Sequence, residues 1–183
     1  MDNKIMVKLV VGTEAMFFLC LIMVFVYFSL LPEFKMQQIK NLDISTTSQF
    51  TALLLFSSFT YWRAEKNFNN GMIKRFKFWI LFTLILGILF LLGQAKEYVK
   101  LLSSQVTISS SIFGTSFFTL TGFHGLHVAV GLIIIGIITY LTFIGDYDYK
   151  KSSIVSAVGV YWHFVDIVWL FVFFIVYVMP HLS

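Results

Sequence analysis

Charged side chains are scarce. Only 12% of the 183 residues are Asp, Glu, Lys or Arg, against about 25% in a soluble domain. Too few polar groups are present to cover a water-soluble globule. The apolar residues make up 58% of the chain, with 22 phenylalanines, and they gather in runs long enough to cross a bilayer. The composition predicts a polytopic membrane protein. Cysteine is scarcer still. Cys20 stands alone, which excludes an internal disulfide, a tetracysteine zinc site, a cysteine-bound iron–sulfur cluster and a two-cysteine copper centre. Internal repeats and low-complexity tracts are lacking too, so one domain over residues 1–183 is expected. The net charge of +4 calls for no nucleic-acid partner, because the positive charge collects in loops.

A helix needs roughly 20 apolar residues to cross the hydrocarbon core. Five segments are predicted to do so: Val7–Leu31, Thr46–Trp62, Phe76–Ala95, Ser111–Ile144 and Ser153–Met179. All five are expected to be helical, because backbone groups in lipid must be satisfied within their own segment. The second is short and rich in Ser and Thr. The fourth is longer than a bilayer needs, so it tilts or extends beyond the membrane. The first follows Lys4 and Lys8 as the core of a signal peptide would, but it runs long and has no small-residue cleavage site before Pro32, so it reads as a retained span. Leu31–Ser45, Arg63–Lys77 and Gly145–Lys151 read as polar connections, the second with an Asn69-Asn70-Gly71 turn signal. The fold class is therefore all-α, a bundle of five transmembrane helices. Nine Lys and Arg fall on the side of the N-terminus and four on the other. The N-terminus is thus expected in the cytoplasm and the C-terminus outside.

Ionisable groups at bilayer depth cost several kcal/mol, about 2.5–3.5 for Asp on insertion scales, so each demands a partner or a use. His124, His127 and Gly131 fall on one face of the fourth helix, with Thr121, Gly125 and Ala129 on an adjoining one. Ser156, Gly159, His163 and Asp166 share a stripe on the fifth helix. Thr83, Gly87, Gln94 and Glu97 share one on the third. These three small-and-polar stripes are expected to meet in a buried network of Gln94, Glu97, His124, His127, His163 and Asp166, with imidazole N–H groups donating to carboxylates. Three uses remain open for it: helix-to-helix hydrogen bonding, a proton relay, and a metal or a haem clamped between His124 and His163. Glu14, two turns into the first helix, stands apart with no partner on its own helix. Tyr61, Trp62, Trp79, Tyr147 and Tyr149 lie at span ends and read as interfacial anchors.

The motifs also match a family. TGFHGLHVAVG (Thr121–Gly131), preceded by IFGTSFFTL (Ile112–Leu120), resembles a signature of subunit III of haem-copper oxidases. YWHFVDIVWLFVF (Tyr161–Phe173), LGQAKEY (Leu92–Tyr98), GTEAMFF (Gly12–Phe18) and ALLLFSS (Ala52–Ser58) resemble further blocks, all in family order. The resemblance implies a non-catalytic subunit of a respiratory terminal oxidase, oxidising cytochrome c or quinol, in a bacterial plasma membrane and not a mitochondrial one. By itself such a chain catalyses nothing. The proton-pumping oxidoreductase chemistry, with its haem and copper, belongs to partner subunits I and II, while this subunit binds no cofactor beyond structural phospholipid and supports assembly, lipid retention and proton uptake. By the same likeness Glu14 matches a carboxylate near a lipid cleft, and the six network residues match the family's polar core, leaving no metal ligand and no catalytic residue among them. Longer members begin with two further helices, so the expectation is a five-helix bacterial form. Many members carry a glutamate seven residues before His163, where this chain has Ser156. The alternatives are a subunit III-like companion of nitric oxide reductase, a free-standing small transporter or proton channel, and a haem-binding membrane anchor.

Overall fold

A computed structural model of the chain describes residues 3–34, 36, 42–145 and 152–182. Five long helices account for most of them: α1 (Asn3–Ser29), α2 (Ile44–Asn69), α3 (Ile73–Ser103), α4 (Ile112–Ile144) and α5 (Ser152–Phe173). The path of α5 continues through a π turn, Phe174–Val178, into a last short helix, α6 (Met179–Leu182). There is no strand among the described residues.

The ends have local causes. Pro32 favours an extended residue before it, and α1 stops at Ser29. Asp43 caps α2, its carboxylate accepting from the amides of Ser45 and Thr46 and from the Thr46 hydroxyl. Those bonds, the Thr46 hydroxyl foremost, hold the Asp43 carboxyl below the usual carboxylate range, so it is ionised at neutral pH. Ser111 caps α4 through the amide of Gly114. Gly145 closes it in the left-handed region at φ 83°, which a residue without Cβ adopts freely. The π turn follows from Pro180. A proline there donates no N–H and its ring crowds the carbonyl of Val176. The helix widens, so that the Met179 amide reaches the carbonyl of Phe174.

Four helices are long and apolar enough to cross a membrane: Met6–Ser29, Ile73–Ser103, Ile112–Ile144 and Ser153–His181. The expected second span is the exception. It is a helix of 26 residues, but Thr46, Thr47, Thr51, Ser57, Ser58 and Thr60, followed by Arg63, Glu65 and Lys66, dilute its hydropathy. The expected polar connection Arg63–Lys77 is also mostly helix. Ala64, Asn67 and Phe68 are buried, so α2 runs on to Asn69. The turn falls at Asn70 and Gly71, the latter at φ 73°, where the chain reverses into α3. The Phe68 and Phe76 rings close this hairpin at 4.8 Å. Of the Gly145–Lys151 connection, residues 146–151 lie outside the described residues, and Tyr147 and Tyr149 with them.

Helix α2 packs on α3 and α5, α3 on α4, and α1 on α4 and α5. Side-chain pairings show every neighbouring pair but α1 and α5 to be antiparallel. Trp162 and Trp169 of α5 meet Ser57 and Thr51 of α2, while Glu14 and Phe17 of α1 meet His127 and Phe123 of α4. The centre of the bundle is the indole of Trp162, fully buried. Gly131 and Gly87 flank it, and a Cβ on Gly131 would stand 2.8 Å from the ring. These glycines do not bring two backbones together. They open a slot for a ring.

Outward faces are apolar along the bundle, with Met16, Met23, Phe78, Leu126, Ile133, Ile167 and Phe171 all exposed. Tyr61 departs from its expected place at an interface. It is fully buried, and its hydroxyl donates to the carbonyl of Val155 at 2.8 Å, because α2 continues two turns past it.

Gly131→Ala drives a methyl into the Trp162 ring. Overpacking of this kind costs about 1–3 kcal/mol, partly offset by about 1 kcal/mol of helix propensity. Gly136→Ala, whose Cβ meets nothing nearer than 4.0 Å, keeps the propensity gain alone. Thermal unfolding of the purified protein in mild detergent is expected to fall for the first and to hold or rise for the second. Equal behaviour of the two would remove the Trp162 slot from the account.

Candidate functional site

The polar residues do not form one network. Four groups have different partners, and two residues, His124 and Asp166, stand apart from them.

Glu14, expected to stand alone, has the strongest partnership. Its Oε2 lies 3.1 Å from Nε2 of His127, across the α1–α4 contact. The other ring nitrogen of His127 lies 2.7 Å from the carbonyl of Phe123. A carbonyl only accepts, so Nδ1 carries the hydrogen. Nε2 then faces the carboxyl, where it can accept from a carboxylic acid or, as an imidazolium, donate to a carboxylate. Phe18 packs its ring 4.9 Å from that of His127, and Tyr161 of α5 donates to the His127 carbonyl at 3.1 Å. The pair sits at the flank of the bundle, with the Glu14 side chain 32% exposed and that of His127 14%.

Glu97 meets no histidine. Its Oε2 accepts from the Tyr177 hydroxyl at 2.6 Å and its Oε1 from Thr47 at 3.3 Å. The π turn holds Tyr177, so the widening caused by Pro180 also sets this contact. Gln94, one turn away, donates to the carbonyl of Thr121 at 2.8 Å. The Thr121 hydroxyl donates to Phe117 O and pairs with Tyr98. Gly125 leaves room for the Gln94 amide, since a Cβ there would lie 3.0 Å from its oxygen.

His163 takes its partner from α2, where Ser58 meets its Nδ1. Glu65 of α2 lies over Gly159, where a Cβ would stand 3.1 Å from its Oε2. Asp166 and His124 are buried, and among the described residues no hydrogen bond within 3.5 Å reaches their side-chain polar atoms, although Ser58 stands close enough to act on the Asp166 carboxyl. His124 is held by rings instead, 4.8 Å from Trp169, with Phe90 and Phe18 edge-on. The single imidazole-to-carboxylate contact among the described residues therefore joins α4 to α1 and not to α3 or α5. The three-residue spacing of the α4 histidines explains it. His124 and His127 differ by about 60° around the helix, which turns one ring into the core and the other to the neighbour. Among the described residues no three His, Cys, Asp or Glu side chains converge as a metal would require, so ligands for one would have to come partly from elsewhere.

The hydroxyls of α2 carry more of the geometry than their composition suggested. Thr51 accepts from the Trp169 indole at 3.0 Å and Ser57 from Trp162 at 3.2 Å. Each hydroxyl passes its own hydrogen to a backbone carbonyl one turn back. Thr60 pairs with Thr83 of α3 at 2.8 Å. The signal lay in the spacing of Thr47, Thr51 and Ser58 on one helical face and in the seven-residue interval between Trp162 and Trp169.

The family model for cytochrome c oxidase subunit III matches residues 3–180. The chain belongs to the cytochrome c oxidase subunit III family. It is similar to the protein named probable cytochrome c oxidase subunit 3 of Mycobacterium tuberculosis, 39% identical over 75% of this chain and 68% of that one. Its likeness to cytochrome c oxidase subunit 3 of Corynebacterium diphtheriae is 33% over 75% of this chain and 67% of that one. The Synechocystis protein of the same name is 32% identical over 84% of this chain and 65% of its own length. The motifs around His124, His163, Glu97 and Glu14 thus lie within a match covering nearly the whole chain, and the chain is a membrane subunit III of a haem-copper oxidase.

The Glu14–His127 contact sets a clear expectation for variants. Glu14→Gln keeps a donor to Nε2 and is expected to cost under about 1 kcal/mol, whereas His127→Ala strips Glu14 of its partner and costs about 1–2 kcal/mol, the lower part of the usual range because Glu14 is partly exposed. Unfolding in mild detergent reads both. A Glu14→Gln loss equal to that of His127→Ala would contradict a hydrogen bond in which the residue at position 14 can serve as donor.

Proposed function

We propose that the chain is the five-span, non-catalytic subunit of a bacterial respiratory oxidase, seated in the plasma membrane with its N-terminus in the cytoplasm. Haem and copper reside in neighbouring subunits I and II, and the chain supports their assembly, lipid retention and proton uptake. The match over residues 3–180 carries this reading.

The arrangement of α2 supports its counting as a span. Its side-chain contacts run from Thr47 with Glu97 near one end to Tyr61 with Val155 near the other. Helix α2 is thus matched along the length of two helices apolar enough to cross. Thr47, Thr51 and Ser57 face those helices, while Leu55, Phe56 and Phe59 face outward. The excess of Lys and Arg at the α2–α3 turn supports a cytoplasmic N-terminus, since that turn lies on the same side. Glu14 and His127 support a link to proton uptake: a carboxyl and an imidazole, both groups able to carry a proton, meet on the flank of the bundle. His124 packs among the rings of Trp169, Phe90 and Phe18 and His163 meets Ser58 of α2, which supports a role for both in helix packing.

Purification in mild detergent tests the reading. A larger partner bearing haem and copper is expected to accompany the chain, and the isolated chain is expected to show no Soret band. Recovery of the chain alone from native membranes, at full yield, would favour a free-standing transporter and overturn the proposal.

A further inference from the structure

Asp166 is a buried carboxyl that none of the helix contacts above uses. It is 2% exposed and lies roughly 20 Å along α5 from the start of that helix. Among the described residues no Lys, Arg or His nitrogen comes within 4.0 Å of it. Ser58 of α2 is the side chain that acts on it, and the same Ser58 hydroxyl meets Nδ1 of His163. The hydroxyl therefore stands in the middle, with an imidazole on one side and a carboxyl on the other. In a Ser-His-Asp triad the imidazole is in the middle and activates the hydroxyl as a nucleophile. Here the hydroxyl is the link. It has one hydrogen to give and lone pairs to accept with, so it passes a proton on as it receives one.

The groove between α2 and α5 leads from these groups to the end of the bundle. Glu65 lies two turns beyond Ser58 on the same face of α2. It stands over Gly159, one turn before His163 on α5, and within electrostatic reach of His163. The end of α2 at Asn69 is about 6 Å further on. Glu65 and His163 are both half-buried. Glu65, His163, Ser58 and Asp166 thus form a file running inward from the end of α2. Other ionisable groups on the helices packed against α5 are engaged elsewhere. Arg63 and Lys66 lie over the Phe59 and Trp62 rings, Glu14 and His127 engage each other, and His124 is enclosed by rings. Tyr161, which bonds the His127 carbonyl, is about 200° around α5 from His163, so the file and the Glu14–His127 contact lie on opposite sides of that helix.

We propose that Ser58 relays protons between His163 and Asp166, and that Asp166 is a proton store in the bundle interior, filled from the α2 end of the groove. The step balances. A proton from water, passed on by Glu65, adds to Nε2 of His163. The hydrogen on Nδ1 moves to the Ser58 oxygen, and the Ser58 hydrogen moves to the Asp166 carboxylate. Ser58 gains one hydrogen as it gives one, the imidazole ends as its other neutral tautomer, and the carboxylate becomes the acid. Emptying the store runs the same bonds in reverse. The proposal rests on the reading of α2 as a span and gives proton uptake a route through this chain's own residues.

The test is infrared spectroscopy of the protein purified in mild detergent, with any partner retained, as light water is exchanged for heavy water. The wild type is expected to show a carboxylic-acid C=O band that Asp166→Asn removes, Asp166→Glu displaces and deuteration shifts. Ser58→Ala is expected to keep the band but slow its deuteration roughly 100-fold, the low end of what a positioned proton carrier contributes. Ser58→Thr, which keeps a hydroxyl, is expected to restore the wild-type rate, and His163→Phe to slow exchange as Ser58→Ala does. A purely structural Ser58 would lower the unfolding temperature in Ser58→Ala and leave deuteration as fast as before, which would overturn the proposal. So would a His163→Phe rate equal to that of the wild type, or the absence of any band sensitive to position 166 at every pH the protein withstands. Haem content of the same preparations reports assembly separately. A chain that emerges with no partner is measured in the same way, so the relay and the oxidase reading fail or stand independently.

Discussion

The bundle depends on where α2 turns its hydroxyls. A helix with this many Ser and Thr side chains is poorly suited to lipid on its own, because every unpaired polar group in hydrocarbon costs several kcal/mol. Two devices remove that cost. Hydroxyls of Thr51, Ser57 and Thr60 donate to carbonyls of their own helix, and the same oxygens of Thr51 and Ser57 accept the indole N–H groups of α5. Each interhelical bond contributes only about 0.6 kcal/mol on average in a membrane. Their value lies in register. Trp162 and Trp169 can find Ser57 and Thr51 in one antiparallel alignment only, and that alignment places Tyr61 on Val155 and Ser58 on His163. Trp162 then demands the glycines of α3 and α4, so the position of α2 propagates to three other helices.

The charged groups are handled in three ways. Glu97 is hydrogen-bonded from two helices at the end of the bundle, where α2 and the π turn supply hydroxyls. Glu14 and His127 meet at the flank, and His124 is enclosed by rings.

Much of the fold was legible in the sequence. The long apolar runs marked α1, α3, α4 and α5, and Asn69-Asn70-Gly71 marked the reversal between α2 and α3. Helix α2 was harder to read, since its polar row lowers hydropathy and only the facing helix shows why it is tolerated. Candidate residues were legible as types but not as partners. Helical spacing put His124 and His127 on one face, yet a 60° difference sends them to different neighbours, and nothing in α4 itself names Glu14 as the partner of His127. Trp162 and Trp169 read as ordinary apolar residues until the hydroxyls opposite them are known. The π turn was hidden as well, because Pro180 reads from sequence as a helix end and not as the cause of a widened turn.

The alignment of α2 on α5 is tested most directly by a double-mutant cycle between Thr51→Val and Trp169→Phe, read as unfolding free energy of the full chain in mild detergent. The account predicts that the two losses are not additive, with a coupling of about 0.5–1.5 kcal/mol, the range of hydrogen bonds between membrane helices. Strictly additive losses would mean that the indole and the hydroxyl do not meet, and the register from which the rest of the bundle follows would be wrong.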